Sequence, residues 1–105
     1  DAFDQLNLHD ATLKTVRFEW KAAICTLVIE QASRGVDCLQ FGGVSDVHIP
    51  RALPWGPSDS INGVRQYEGD SYGIELQSGD VLVIKAKSWQ FLFDNTMICL
   101  LYTSD

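Results

Sequence analysis

The sequence predicts an all-β or β-rich α+β domain, an antiparallel sandwich or barrel of roughly seven to nine short strands with at most one short helix. Three observations point there. Apolar and polar residues alternate with period two in several short runs, as strands with one wet face require. Turn chemistry rich in Gly, Asp, Ser and Asn separates those runs at short intervals. Three prolines, Pro50, Pro54 and Pro57, crowd one stretch that no strand can cross, because proline lacks a ladder donor.

At the N-terminus, Asp1 suits the cap of a short helical turn carrying Phe3 and Leu6. Residues 12–20 set Lys14, Val16, Phe18 and Trp20 against Thr15, Arg17 and Glu19, the pattern of a first strand. After a break at Lys21 and Ala22, residues 23–29 are apolar at nearly every position but Thr26, so both faces of this second strand are expected to be covered. Ser33-Arg34-Gly35 turns the chain into a third strand at 36–41. Gly42-Gly43 punctuates before a fourth at 44–49, where Val47 and Ile49 share a face.

Beyond the prolines, residues 63–67 form another strand and Glu68-Gly69-Asp70-Ser71 a hairpin turn. Residues 72–76 pair with 81–86 through Ser78, Gly79 and Asp80, the cleanest hairpin in the chain. Residues 89–93 alternate again, Asp94-Asn95 turns, and 97–102 is apolar on both faces. Two doubly apolar strands are many for a short two-layer domain, which normally wets each sheet's outer side. A homodimer through the last strand is one way to cover them.

Length sets one domain over residues 1–105, since a second core has no room. Hydrophobic residues form 46% of the chain and charged residues 21%, the usage of a globular fold rather than a disordered one. The formal net charge of −6 argues against an electrostatic grip on nucleic acid, which depends on Lys and Arg. It suits solubility, or encounter with a basic protein. No apolar run nears the roughly 20 residues of a membrane-spanning helix, and no basic-then-apolar leader opens the chain. The expectation is a cytoplasmic protein without a membrane partner.

Cys25, Cys38 and Cys99 are odd in number and lie among apolar neighbours, which predicts free thiols packed in the core, with one bridge and a spare thiol as the lesser alternative. Zinc needs closely spaced Cys and His pairs, and none occurs. No metal or other cofactor is implied. His9 and Asp10 are adjacent, so on an extended strand their side chains would point to opposite faces and make no dyad. Glu68 and Asp70 read as solvated turn residues. Gly42-Gly43 lacks the remainder of a phosphate cradle, and neither a nucleophile elbow nor a Walker motif is present. No catalytic residue is assigned.

The segment 49–62 is long, stiff and chemically rich. Trp55 offers a flat contact surface, while Arg51, Ser58, Asp59, Ser60 and Asn62 supply directed hydrogen bonds, and His48 stands at the preceding strand end. Aromatic and Arg side chains dominate binding hot spots. These seven residues form the candidate binding set. The alternative is a structural plug over the end of the sandwich.

The strings Leu8-His9-Asp10-Ala11-Thr12-Leu13, Pro54-Trp55-Gly56-Pro57-Ser58 with Ser60-Ile61-Asn62, and Gln77-Ser78-Gly79-Asp80 resemble a pattern found in small uncharacterised bacterial β proteins. Some of these are grouped with immunity proteins of toxin systems, and such small proteins also travel in mobile gene cassettes. The resemblance implies a β-rich fold, no established enzyme activity and no catalytic residues. The leading expectation is a non-enzymatic domain that recognises another protein. A small-molecule-binding or hydrolytic barrel, with its pocket near His48, Arg51, Trp55 and Asp59, is the second, and a structural homo-oligomer the third.

Overall fold

A computed structural model describes residues 3–31, 35–52 and 59–92, and within them the chain is all-β. A single 3-10 turn, Phe3–Gln5, precedes eight strands: β1 (Thr12–Glu19), β2 (Ile24–Gln31), β3 (Gly35–Gly42), β4 (Asp46–His48), β5 (Ile61–Tyr67), β6 (Ser71–Leu76), β7 (Val81–Lys85) and β8 (Ser88–Leu92). They form two four-stranded antiparallel sheets. One runs β1-β2-β3-β8 and the other β4-β7-β6-β5. The last strand expected from sequence, 97–102, and the capping Asp1 lie outside the described residues.

The core lies between the sheets. Cys25, Leu27 and Ile29 of β2 and Leu39 and Phe41 of β3 face Ile61, Tyr72, Ile74, Leu76, Leu82 and Ile84. Near-total burial of a Leu, Ile or Phe side chain stabilises by about 1.5–3 kcal/mol, so this set supplies much of the driving force. Phe3 is fully buried and stacks edge-on with Tyr72 at 4.9 Å and Trp89 at 5.2 Å, closing the side of the sandwich between β8 and β5.

Four local differences from the sequence pattern have physical causes. In β1 the register shifts between Leu13 and Thr15, so Leu13 and Val16 pack on the core while Lys14 is extruded. In β5 a similar shift between Ile61 and Gly63 extrudes Asn62 and starts the strand two residues early. β4 is shorter than the 44–49 pattern suggests because the chain is changing sheets there. Gly43 sits at φ +62°, and the next two amides are spent elsewhere, Val44 N–H on the Ala23 carbonyl (2.9 Å) and Ser45 N–H on the Lys85 carbonyl (2.9 Å). The fourth difference is at Cys38. Sequence patterning favours free core thiols throughout, yet Cys38 is disulfide-bonded and only Cys25, among the described residues, is free. An apolar neighbourhood buries a half-cystine as well as a thiol, so it cannot tell the two apart.

The two hairpins predicted around Glu68-Gly69-Asp70 and Ser78-Gly79-Asp80 are present, joining β5 to β6 and β6 to β7. Gly69 at φ +73°, Asp70 at φ +62° and Gly79 at φ +104° supply the left-handed backbone these turns need. Among the described residues no helix is long and apolar enough to cross a membrane.

Candidate functional site

Two neighbouring cavities lie along one side of the sandwich, where edge strand β1 runs beside the segment leading through β4 to Ala52. The first, about 380 Å3, is bounded by Leu13, Thr15 and Val16 on one side and Ile49, Pro50 and Arg51 on the other, with Asp59 at its end. The second, also about 380 Å3, lies between Phe18 and Trp20 on one side and Ser45, Asp46 and Val47 on the other. They form a seam between the sheets, apolar on its floor and mixed in charge at its rim.

The seam's walls are held firmly. Trp20 opens the turn joining β1 to β2, whose Ala23 adopts φ +56°, a conformation costly for a residue with a Cβ. That turn is closed by Ala23 N–H donating to the Trp20 carbonyl (3.2 Å), and Val44 N–H donates to the Ala23 carbonyl (2.9 Å). Held this way, the Trp20 side chain remains 86% exposed and is met edge-on by Phe18 at 5.9 Å. The facing wall is pinned by Asp80, which is only 4% exposed. Its Oδ2 accepts from Ala52 N–H (3.1 Å) and from the Ser78 hydroxyl (3.1 Å), which fixes the backbone beside Arg51.

The seven residues singled out from sequence separate in space. Arg51 and Asp59 meet at the first cavity. Ser60 forms an isolated bridge with Thr12 and serves the backbone ladder. His48 is exposed on β4, opposite Val83, and lines neither cavity. Asn62 is extruded to another surface. Trp55 and Ser58 lie outside the described residues. Sequence reading missed Trp20 and Phe18 because period-two alternation places them with Val16, and alternation cannot tell a sheet's covered middle from its open edge.

Asn62 belongs to a polar clasp. His9 and Asp10, expected on opposite faces of a strand, instead occupy a turn with Asp10 at φ +69°, which brings His9 Nε2 to 3.6 Å from Asp10 Oδ1. The expectation of opposed side chains fails because it assumed extended backbone. His9 Nδ1 lies 2.9 Å from the Asn62 carbonyl, Gln77 Nε2 donates to Asp10 Oδ1 (2.6 Å), and Asn62 Nδ2 donates to Glu75 Oε1 (3.3 Å). Backbone bonds run alongside, Asp10 N–H to the Ile61 carbonyl (2.8 Å) and Gln77 N–H to the Ser60 carbonyl (2.7 Å). The Leu8-to-Leu13, Ser60-Ile61-Asn62 and Gln77-to-Asp80 strings therefore meet at one place. Their side chains are occupied with one another, His9 and Asp10 are largely solvent-exposed (59% and 73%), and the arrangement ties the turn before β1 to the start of β5 and the end of β6.

Burial pushes the Cys25 thiol up to about 11, which keeps it protonated and inert near neutrality. Tyr72 is raised from its ordinary value by burial and then by the nearby Asp70 carboxylate. Neither faces the seam. Among the described residues no group of three His, Cys, Asp or Glu side chains is placed to hold a metal ion. No protein-family model, curated protein or solved structure matches this chain.

Proposed function

We propose that this domain is a binding module that recognises an extended, basic segment of another protein along the β1 seam. The observation that carries this reading is the distribution of exposed large hydrophobic side chains. Of Phe18, Trp20, Ile49 and Tyr67, the four found among the described residues, all but Tyr67 line that seam. Contiguous exposed apolar surface beside an Arg is the composition of a protein-binding hot spot. Asp46 and Asp59 stand at its rim alongside Lys14 and Arg51, and the chain's net charge of −6 favours encounter with a basic partner. Recognition of a toxin by an immunity-like protein falls within this class. A disulfide at Cys38 favours an oxidising compartment over the cytoplasmic setting expected from the sequence.

A second reading draws on Lys14 and Arg51, two cations at the first cavity, whose size is at the small end of ligand pockets. It makes the site a pocket for a small anion.

The experiment is a two-dimensional NMR titration of the full chain with two extended peptides of equal length, one alternating Lys with apolar residues and one alternating Glu with the same residues. The expected result is saturable shifts at Phe18, Trp20, Val47 and Ile49 with the basic peptide alone, weakened about tenfold or more, equivalent to about 1.4 kcal/mol, by Trp20→Ala. Tyr67→Ala should leave them unchanged. Equal response to the acidic peptide, or shifts mapping to the other sheet, defeats the proposal. Inorganic phosphate shifting Lys14 and Arg51 alone transfers the site to the small-anion reading.

A further inference from the structure

We propose that the outer face of the β4-β7-β6-β5 sheet carries a binding groove for a neutral oligosaccharide, with Gly63 as its open floor and Tyr67 as its stacking wall. The groove lies on the other sheet from Phe18 and Trp20 and is independent of the β1 seam. Gly63 is a glycine that the fold does not need. It sits within β5, opposite Glu75 of β6, where a missing side chain weakens the strand. Its φ is not left-handed, unlike that of Gly69 or Gly79, so the neighbouring bulge at Asn62 places no such demand on it. A Cβ built there would meet nothing within 4 Å, so packing does not demand a glycine either. What the absent side chain leaves is space, a cavity of about 300 Å3 bounded by Arg65, Tyr67, Gly73, Glu75 and Val81. A strand glycine with open room above it lets a ligand approach the backbone closely.

The walls are in position before any ligand arrives. The Tyr67 ring leans over Gly73, close enough that a Cβ there would stand 2.6 Å from Cε2, and Gly73 is buried beneath it although it belongs to the outer face. Asn62, pushed outward by the bulge, donates from Nδ2 to Glu75 Oε1 (3.3 Å) and so orients that carboxylate. Beyond Glu75 the groove continues into a second cavity of about 460 Å3 beside Asp10, Asn62 and Gln77, which gives room for a chain of rings rather than one. The rim selects the ligand. Arg65 only donates, Asp10 and Glu75 only accept, and Asn62 and Gln77 do both. An anion meets two carboxylates and a cation meets Arg65, whereas a neutral ligand rich in hydroxyls, each both donor and acceptor, satisfies all of them. Tyr67, the large exposed hydrophobic side chain on this face among the described residues, offers an aromatic surface to the C–H face of a pyranose.

Two-dimensional NMR of the full chain, titrated to about 10 mM with maltohexaose, cellohexaose and chitohexaose in turn, tests this. At least one should give saturable shifts at Gly63, Arg65, Tyr67, Gly73 and Glu75 while Phe18 and Trp20 stay unmoved. Gly63→Val is the decisive variant. It fills the floor, so it should abolish the shifts while the melting temperature holds or rises, because Val suits a strand better than Gly. Tyr67→Ala should weaken binding about tenfold or more. Absence of saturable shifts with all three sugars overturns the proposal, as does binding that survives in folded Gly63→Val. A lowered melting temperature or failure to fold in Gly63→Val overturns it too, since the strand itself would then require the glycine.

Discussion

The two sheets share a core but treat their outer faces differently. On the β4-β7-β6-β5 sheet, the outward residues Arg65, Tyr67, Glu75, Lys85 and His48 are exposed, the ordinary condition of a two-layer sandwich. On the β1-β2-β3-β8 sheet, the outward Thr26, Cys38 and Gln40 are buried. The contrast shows that a long apolar run need not signal oligomerisation. Burial of β2 and β3 on both faces is already achieved within one chain, so the double burial that suggests a homodimer in the sequence does not itself require a second copy.

The largest test of this difference is to place a charge on each outer face. Thr26→Asp should cost about 3 kcal/mol or more, because the carboxylate is fully buried and Arg17, its cross-strand neighbour on edge strand β1, offsets only part of the desolvation, and urea denaturation measures it. Lys85→Glu on the wet sheet should cost no more than about 1 kcal/mol even though it faces Asp46 across β4, because both side chains are exposed. Equal effects would erase the distinction.

Next in size is Asp80→Ala, which leaves the Ala52 amide and Ser78 hydroxyl unsatisfied at the seam wall. A loss of about 2–3 kcal/mol is expected, together with faster amide exchange at Ala52. A loss below about 0.5 kcal/mol would mean that the Arg51 wall is held by other contacts.

The alkaline limb of the stability curve follows from Cys25. Its folded value of about 11 lies above the ordinary 9.0, so its contribution is complete below pH 9 and is lost as pH rises through 11. The slope from this group is at most about 1.4 kcal/mol per pH unit. Cys25→Ala should flatten that part of the curve measured by thermal denaturation, and an unchanged slope would assign it to Tyr72 or another group.

The smallest effect concerns the wet sheet's own surface. A Cβ added at Gly73 would stand 2.6 Å from Tyr67 Cε2, so the Tyr67 ring shields a glycine that sits beside it on the outer face. Gly73→Ala should cost up to about 1 kcal/mol in native Tyr67 and less in Tyr67→Ala, a coupling that a double-mutant cycle reads directly. Additive changes would show that the ring moves aside freely.

Much of this architecture is legible in the chain's local chemistry. Period-two alternation, Gly-Asp turns and a proline cluster act over a few residues, and they determine the all-β class, the strands from β1 to β8 within a few residues, and the β5-β6 and β6-β7 hairpins. The bulges at Lys14 and Asn62 escape such reading because each depends on a partner strand's register. So does the candidate site. Arg51 and Asp59 are visible as chemistry in one loop, but Trp20 becomes part of a seam only when β1 proves to be an edge strand beside residues 45–51. The meeting of His9 and Asp10, the bond at Cys38 and the dryness of Thr26 were decided by tertiary structure. Each depends on contacts between residues far apart in sequence, or on a left-handed backbone that no side-chain pattern encodes.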